Sequence, residues 1–165
     1  MMQRKIAWIF PGQASQSVGM GQDLVEGYPA ARALFDQASE VLGFDLPKLC
    51  FEGPMEELTE TRHAQPAILL HSLAVAAILR EQLQVEPSFV AGHSLGEYSA
   101  LTSAVIVPMA DSLRLVFKRG ELMHRESLKH EGAMSAIVGL DIEAVDALVN
   151  TGRQTGVVSA ANHNS

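Results

Sequence analysis

Gly92-His93-Ser94-Leu95-Gly96 sets a hydroxyl between two glycines at the spacing of a nucleophile elbow. Such an elbow carries a serine on a strained turn between a strand and a helix, so that its Oγ stands clear of the backbone. The flanking glycines let strand and helix approach closely. The N–H of Leu95, at the helix start, would point at an oxyanion forming on an attacked carbonyl. The chemistry implied is nucleophilic attack on an acyl carbon. The pattern alone arises by chance in roughly 5% of chains this long, so the strand-turn-helix context has to carry the reading. The alternative is a glycine-rich connection in which Ser94 only caps the helix.

Three further groups bear on this chemistry. Gly12-Gln13 directly follow an apolar stretch ending at Phe10. In a parallel β-α-β arrangement, ligands bind outside the carboxyl ends of the strands. If the Phe10 strand neighbours the elbow strand, the Gln13 N–H could be a second oxyanion donor; otherwise Pro11-Gly12 is an ordinary turn. Arg119 precedes Gly120. The glycine leaves room for close approach, and Arg119 could reach inward to bind a carboxylate bidentately. The alternative is a solvated charge, as expected for Arg114, Lys118 and Arg125 on the same helix. A serine nucleophile also needs a base, usually histidine. His93 adjoins Ser94, but neighbouring side chains diverge on a tight elbow, so it reads as a packing residue. His63 and His71 precede the elbow, and His71 reads as a satisfied core histidine. His124 and His130 read as solvated, and His163 lies near the end of the sequence. None reads as a base. The histidines lack ligand spacing with Cys50 or a carboxylate pair, so no metal site is expected. No Gly-Lys-Ser/Thr follows the glycines at 12–21, so there is no P-loop, and a dinucleotide fold is unsupported.

The elements that must position these groups follow from pattern. Lys5–Phe10 reads as a buried strand broken by Pro11-Gly12-Gln13, with a loop to Met20. Pro29–Leu42 has helical apolar spacing and Gly43 beyond its end. Leu46–Phe51 reads as a short helical turn. Pro66 suits the first position of a helix to about Gln82, apolar nearly all round and therefore central. Ser88–Gly92 reads as the second strand. A helix starts near Leu95 and ends before Val107-Pro108, and another covers Met109–Lys129. Ala133–Val138, Ile142–Asn150 and Val157–Ala161 read as strand, helix and strand. The order is α/β, with a boundary near Lys129–Gly132.

The chain has 165 residues, 12 Lys plus Arg against 19 Asp plus Glu, and a formal charge of −7. That balance argues against a general nucleic-acid binder. The apolar share of 47% with 19% charged residues is globular in character. A single cysteine, Cys50, excludes an intrachain disulfide and suits a reducing compartment. Two basic residues precede Ile6–Phe10, but this apolar run is too short for a signal peptide. No transmembrane helix is expected. The protein reads as cytoplasmic.

Phe10-Pro11-Gly12-Gln13-Ala14-Ser15-Gln16, Gly92 through Tyr98, Arg119-Gly120-Glu121-Leu122-Met123, Gly132-Ala133-Met134 and Ala161-Asn162-His163-Asn164-Ser165 stand in order along the whole chain. Together they resemble the malonyl-CoA:acyl carrier protein transacylases. The resemblance implies a ping-pong malonyl transfer through an ester on Ser94, from coenzyme A to the phosphopantetheine thiol of acyl carrier protein in fatty acid biosynthesis. It implies that Gln13 and Leu95 supply the oxyanion hole through their N–H groups and that Arg119 pairs with the malonyl carboxylate. It implies no cofactor, malonyl-CoA being a substrate. The partners are malonyl-CoA and acyl carrier protein, without nucleic acid or membrane, and the full-length enzyme would be monomeric. The implied fold is an α/β-hydrolase-like large subdomain with a parallel sheet, residues 1–129, followed by the first β-α-β of a ferredoxin-like small subdomain, residues 130–165.

Family members are about twice this length, and their catalytic histidine falls beyond residue 165. The span therefore reads as an N-terminal portion, expected to be inactive or poorly soluble alone. Three other readings compete. The acyltransferase domain of a polyketide or fatty acid synthase is disfavoured by Met1 lying just before the first strand. A serine esterase of the α/β-hydrolase fold usually has several strands before its elbow. A scaffold fragment would retain the fold without chemistry.

Overall fold

The computed structural model describes residues 5–129 and 132–163. The expectations placed on Arg4, His130, Asn164 and Ser165 lie outside the described residues. The fold is α/β with a parallel sheet. The chain forms two compact units, 1–130 and 131–165.

In the first unit, strand β1 (Ala7–Phe10) pairs in parallel with β2 (Phe89–Gly92), placing Phe10 opposite Gly92. The expected adjacency of the two strands is thus present. Between them run α1 (Gln22–Gly27), α2 (Pro29–Leu42), α3 (Leu46–Glu52), α4 (Met55–Thr59) and α5 (Thr61–Leu83). After β2 come α6 (Gly96–Ser103) and α7 (Met109–Lys129).

Local chemistry sets several boundaries. Pro29 opens α2 with its φ already fixed, and Gly43 closes it in the left-handed region at φ 75°. Asp45 caps α3 by accepting from the Lys48 N–H at 2.9 Å. The start of α5 differs from the sequence reading. Pro66 lies inside this helix, which begins five residues earlier. The Glu60 carbonyl accepts from the N–H groups of His63 and Ala64 at 2.8 and 2.9 Å, so the turn is closed before the proline. The short α1 and α4 were not anticipated; both fall in polar or proline-flanked sequence without a long apolar period.

Helix α5 is the hub, packed against α2, α6 and α7. Its Ile68, Leu69 and Leu70 join Phe35, Leu46, Leu95, Leu113 and Val116 in the core. It is long and apolar enough to cross a membrane, but twelve of its residues are buried within this unit. Near its end, Arg80 stands 4.9 Å over the Trp8 ring of β1, pairs with Glu86 at 2.9 Å and donates to the Ser103 carbonyl of α6 at 2.8 Å. That one side chain ties together the helix, the first strand and the helix that follows the elbow.

The second unit holds α8 (Ile142–Gly152), capped by Asp141, which accepts from the Ala144 N–H at 2.8 Å. The strands expected over Ala133–Val138 and Val157–Ala161 are not formed among the described residues. A strand needs a neighbouring strand for its ladder, and among the described residues neither segment is part of a sheet.

Candidate active site

Ser94 sits between the end of β2 and the start of α6 with φ 53°, a left-handed conformation rare for a non-glycine residue. The two glycines around it are required sterically. A Cβ at Gly92 would fall on the Gly96 carbonyl, and one at Gly96 would fall on the carbonyl of Phe10. The His93 N–H also donates to the Phe10 carbonyl at 3.2 Å, joining the elbow to β1. The serine is exposed. Leu95, fully buried, stands at the N-cap of α6, where N–H groups have no intrahelical acceptor.

The loop after β1 runs against this turn. A Cβ on Gly12 would lie 2.9 Å from the His93 carbonyl oxygen, so only a glycine allows the chain to pass so close. Gln13 follows directly, and its exposed side chain donates to Thr61 Oγ1 at 3.3 Å, at the first residue of α5. Between residues 11–21 and α5 lies a cavity of about 500 Å³, whose wall includes Pro11, Val18, Met20, Ile68, His71 and Ser72.

Arg119 comes to the serine from α7. Its Nη2 donates to Ser94 Oγ at 3.0 Å, and its Nη1 donates to Gln65 Oε1 at 2.7 Å. Gly120 makes this possible. A Cβ there would lie 2.6 Å from the Thr61 carbonyl oxygen, so the glycine lets α7 press against the start of α5. Arg114 and Lys118, by contrast, pair with Asp111 and Glu121 on their own helix, and Arg125 pairs with Glu126. Glu126 is exposed, and its hydrogen bonds from Lys129 and Arg125 hold its carboxyl below the usual range.

Gln65 is the residue that sequence reasoning missed. It is fully buried, and its Nε2 donates to Met123 Sδ at 3.3 Å. Its signal was a glutamine just before an apolar run; with the helix started at Pro66, that position reads as a flank rather than an inward-facing turn.

The histidines are dispersed. His63 is buried, with Nδ1 3.0 Å from the Glu57 carbonyl and its ring tilted against Phe44. His93 packs against Gly12, with Nδ1 3.0 Å from where a Cβ would stand. His71 was expected as a core residue and is instead half-buried at the cavity wall. Desolvation lowers its pKa below the ordinary value, with Asp23 opposing. Burial pushes the Cys50 thiol up to about 12, which makes it a packing residue with little thiolate character. Among the described residues, no three His, Cys, Asp or Glu side chains gather as a metal centre would require.

Residues 7–165 match the acyl transferase domain family. The chain belongs to that family. The chain is 48% identical over 161 residues to the malonyl CoA-acyl carrier protein transacylase of Bacillus subtilis strain 168, covering 97% of this chain and 50% of that protein. A malonyl CoA-acyl carrier protein transacylase structure from Coxiella burnetii superposes with a TM-score of 0.93 at 38% identity, covering 99% of this chain and 52% of that one. A malonyl-transacylase solved in complex with its type II polyketide acyl carrier protein gives a TM-score of 0.84 at 40% identity, with coverages of 93% and 50%. The chain spans about half the length of the curated relatives it matches.

Proposed function

We propose that the protein to which this chain belongs transfers a malonyl group from coenzyme A to the phosphopantetheine thiol of acyl carrier protein, in fatty acid biosynthesis. The observation that carries this reading is the Arg119 guanidinium 3.0 Å from Ser94 Oγ. A positive fork beside the nucleophile suits an acyl group with a free carboxylate. An acetyl group would leave that fork without a charged partner, which is costly where water is excluded.

In this mechanism Ser94 Oγ attacks the malonyl thioester carbon and gives its proton to a base. The tetrahedral oxyanion is held by the N–H groups of Gln13 and Leu95. The C–S bond then breaks, coenzyme A leaves as its thiol by taking the proton, and a malonyl ester remains on Ser94. The carrier thiol attacks that ester in the reverse sense, and the serine recovers its proton. Arg119 pairs with the malonyl carboxylate throughout. The base is a histidine outside these 165 residues. Malonyl-CoA acts as substrate, and the reaction uses no cofactor. Residues 1–129 form an α/β-hydrolase-like large subdomain and residues 130–165 the start of a ferredoxin-like small one. The full enzyme acts as a cytoplasmic monomer, apart from nucleic acid and membrane. Support comes from the elbow geometry, the guanidinium and the activities for which the relatives are named.

Intact mass spectrometry after mixing with malonyl-CoA tests this. The expected result is a malonyl adduct on the protein that is absent from Ser94→Ala, obtained either with this span alone or after adding a relative's C-terminal half in trans. No adduct under either condition overturns the reading.

A further inference from the structure

Arg119 is held at Ser94 from behind by Gln65, and Gln65 is in turn held by Met123. The contacts form one chain, from Ser94 Oγ through the Arg119 guanidinium and the Gln65 amide to Met123 Sδ, at 3.0, 2.7 and 3.3 Å. Each direction in it is forced. A guanidinium only donates, so the Gln65 amide must turn its oxygen toward Arg119. Its NH₂ group then faces the other way, into a position with no exposure to water. The thioether of Met123 is the acceptor it meets there. Met123 lies four residues after Arg119 on α7, so both project from the same face of that helix.

We propose that Met123 is a positioning residue: its sulfur fixes the orientation of the Gln65 amide, which holds the Arg119 guanidinium at the nucleophile. This rests on the reading of Arg119 as the carboxylate-binding group. Core filling is the competing role for a methionine, but Met123 is 44% exposed, so its side chain contributes only part of its surface to packing. Removing the sulfur leaves a buried NH₂ without an acceptor. The amide can then rotate toward other partners, and each rotation that turns NH₂ to Arg119 sets donor against donor. The cost falls on the placement of the guanidinium and not on the serine.

The test uses the full chain with labelled arginine, followed by NMR of the Arg119 side chain, assigned by its loss in Arg119→Lys. With both NH₂ groups fixed, wild type gives separate Nη1 and Nη2 signals. Met123→Leu, which keeps the volume and removes the acceptor, is expected to merge them. Met123→Gln, which restores an acceptor, is expected to keep them apart. Separate signals in Met123→Leu, or a single one in wild type, overturn the proposal whether or not Ser94 accepts malonyl. In malonyl-loading kinetics, Met123→Leu is expected to raise KM for malonyl-CoA about fivefold and change kcat by less than about twofold, the signature of lost uniform binding. A wild type that loads malonyl with no KM shift in Met123→Leu sinks this inference alone. A wild type that loads neither alone nor with a relative's C-terminal half in trans sinks the transacylase reading, while the NMR result still decides the role of Met123.

Discussion

The helix hub of the first unit and the segments around α8 are both rich in aliphatic residues, yet they end differently. Leu69 and Leu70 on α5 are fully buried, whereas Val138 is 90% exposed and Val157 wholly exposed. Helix α8 itself forms, with its aspartate cap, although none of its residues is buried. The difference lies in where each element finds its hydrogen bonds. A helix closes its ladder within one segment. A strand must borrow its ladder from another segment, and β1 and β2 find each other while 133–138 and 157–161 form no ladder among the described residues. Apolar sequence thus gives a helix before it gives a core, and gives a strand only with a neighbour.

The contrast can be broken hardest at the elbow. Gly96→Ala would place a Cβ on the Phe10 carbonyl, and both sides of that clash are backbone. The expected loss exceeds about 4 kcal/mol, enough to prevent folding; a cooperative melt near that of the wild type would contradict the packing described. Next comes the burial contrast itself. Leu69→Ala should cost about 2–5 kcal/mol, while Val138→Ala should stay within about 0.5 kcal/mol, both read from urea midpoints. Equal effects would mean that the two regions are not differently packed. Asp141→Ala removes the cap of α8 and should cost about 1 kcal/mol of local helix stability. Amide exchange would register it in 142–152 and leave α5 unchanged.

The smallest effect concerns pH. Desolvation keeps the folded pKa of His71 below its ordinary 6.5. Between those two values the unfolded chain binds a proton that the folded chain does not. The contribution of His71 is therefore complete above pH 6.5 and is lost as pH falls through the folded value. His71→Gln should flatten the stability profile in that window, and an unaltered slope would place the titration elsewhere.

What could be read from the sequence follows the same division. The bounds of α2 and α7 emerge from apolar spacing, Pro29 and Gly43, because those signals act within a few residues. The elbow was legible through its paired glycines: Gly92 is required by a contact within the motif, and Gly96 by the carbonyl of Phe10 in β1. The approach of Arg119 was legible through Gly120. Gln65 was not, because its importance depends on α5 starting at Thr61, and Pro66 reads locally as a beginning. The strands after residue 132 were read from local pattern, which records a preference and not a partner.

Ser94 holds a backbone conformation that glycine adopts freely and serine does not, at φ 53°. A non-glycine residue in this region costs about 1–3 kcal/mol, which the surrounding fold must absorb. Drift under selection for folding alone would therefore carry position 94 toward glycine. A hydroxyl persists there against that gradient only while something other than stability rewards it.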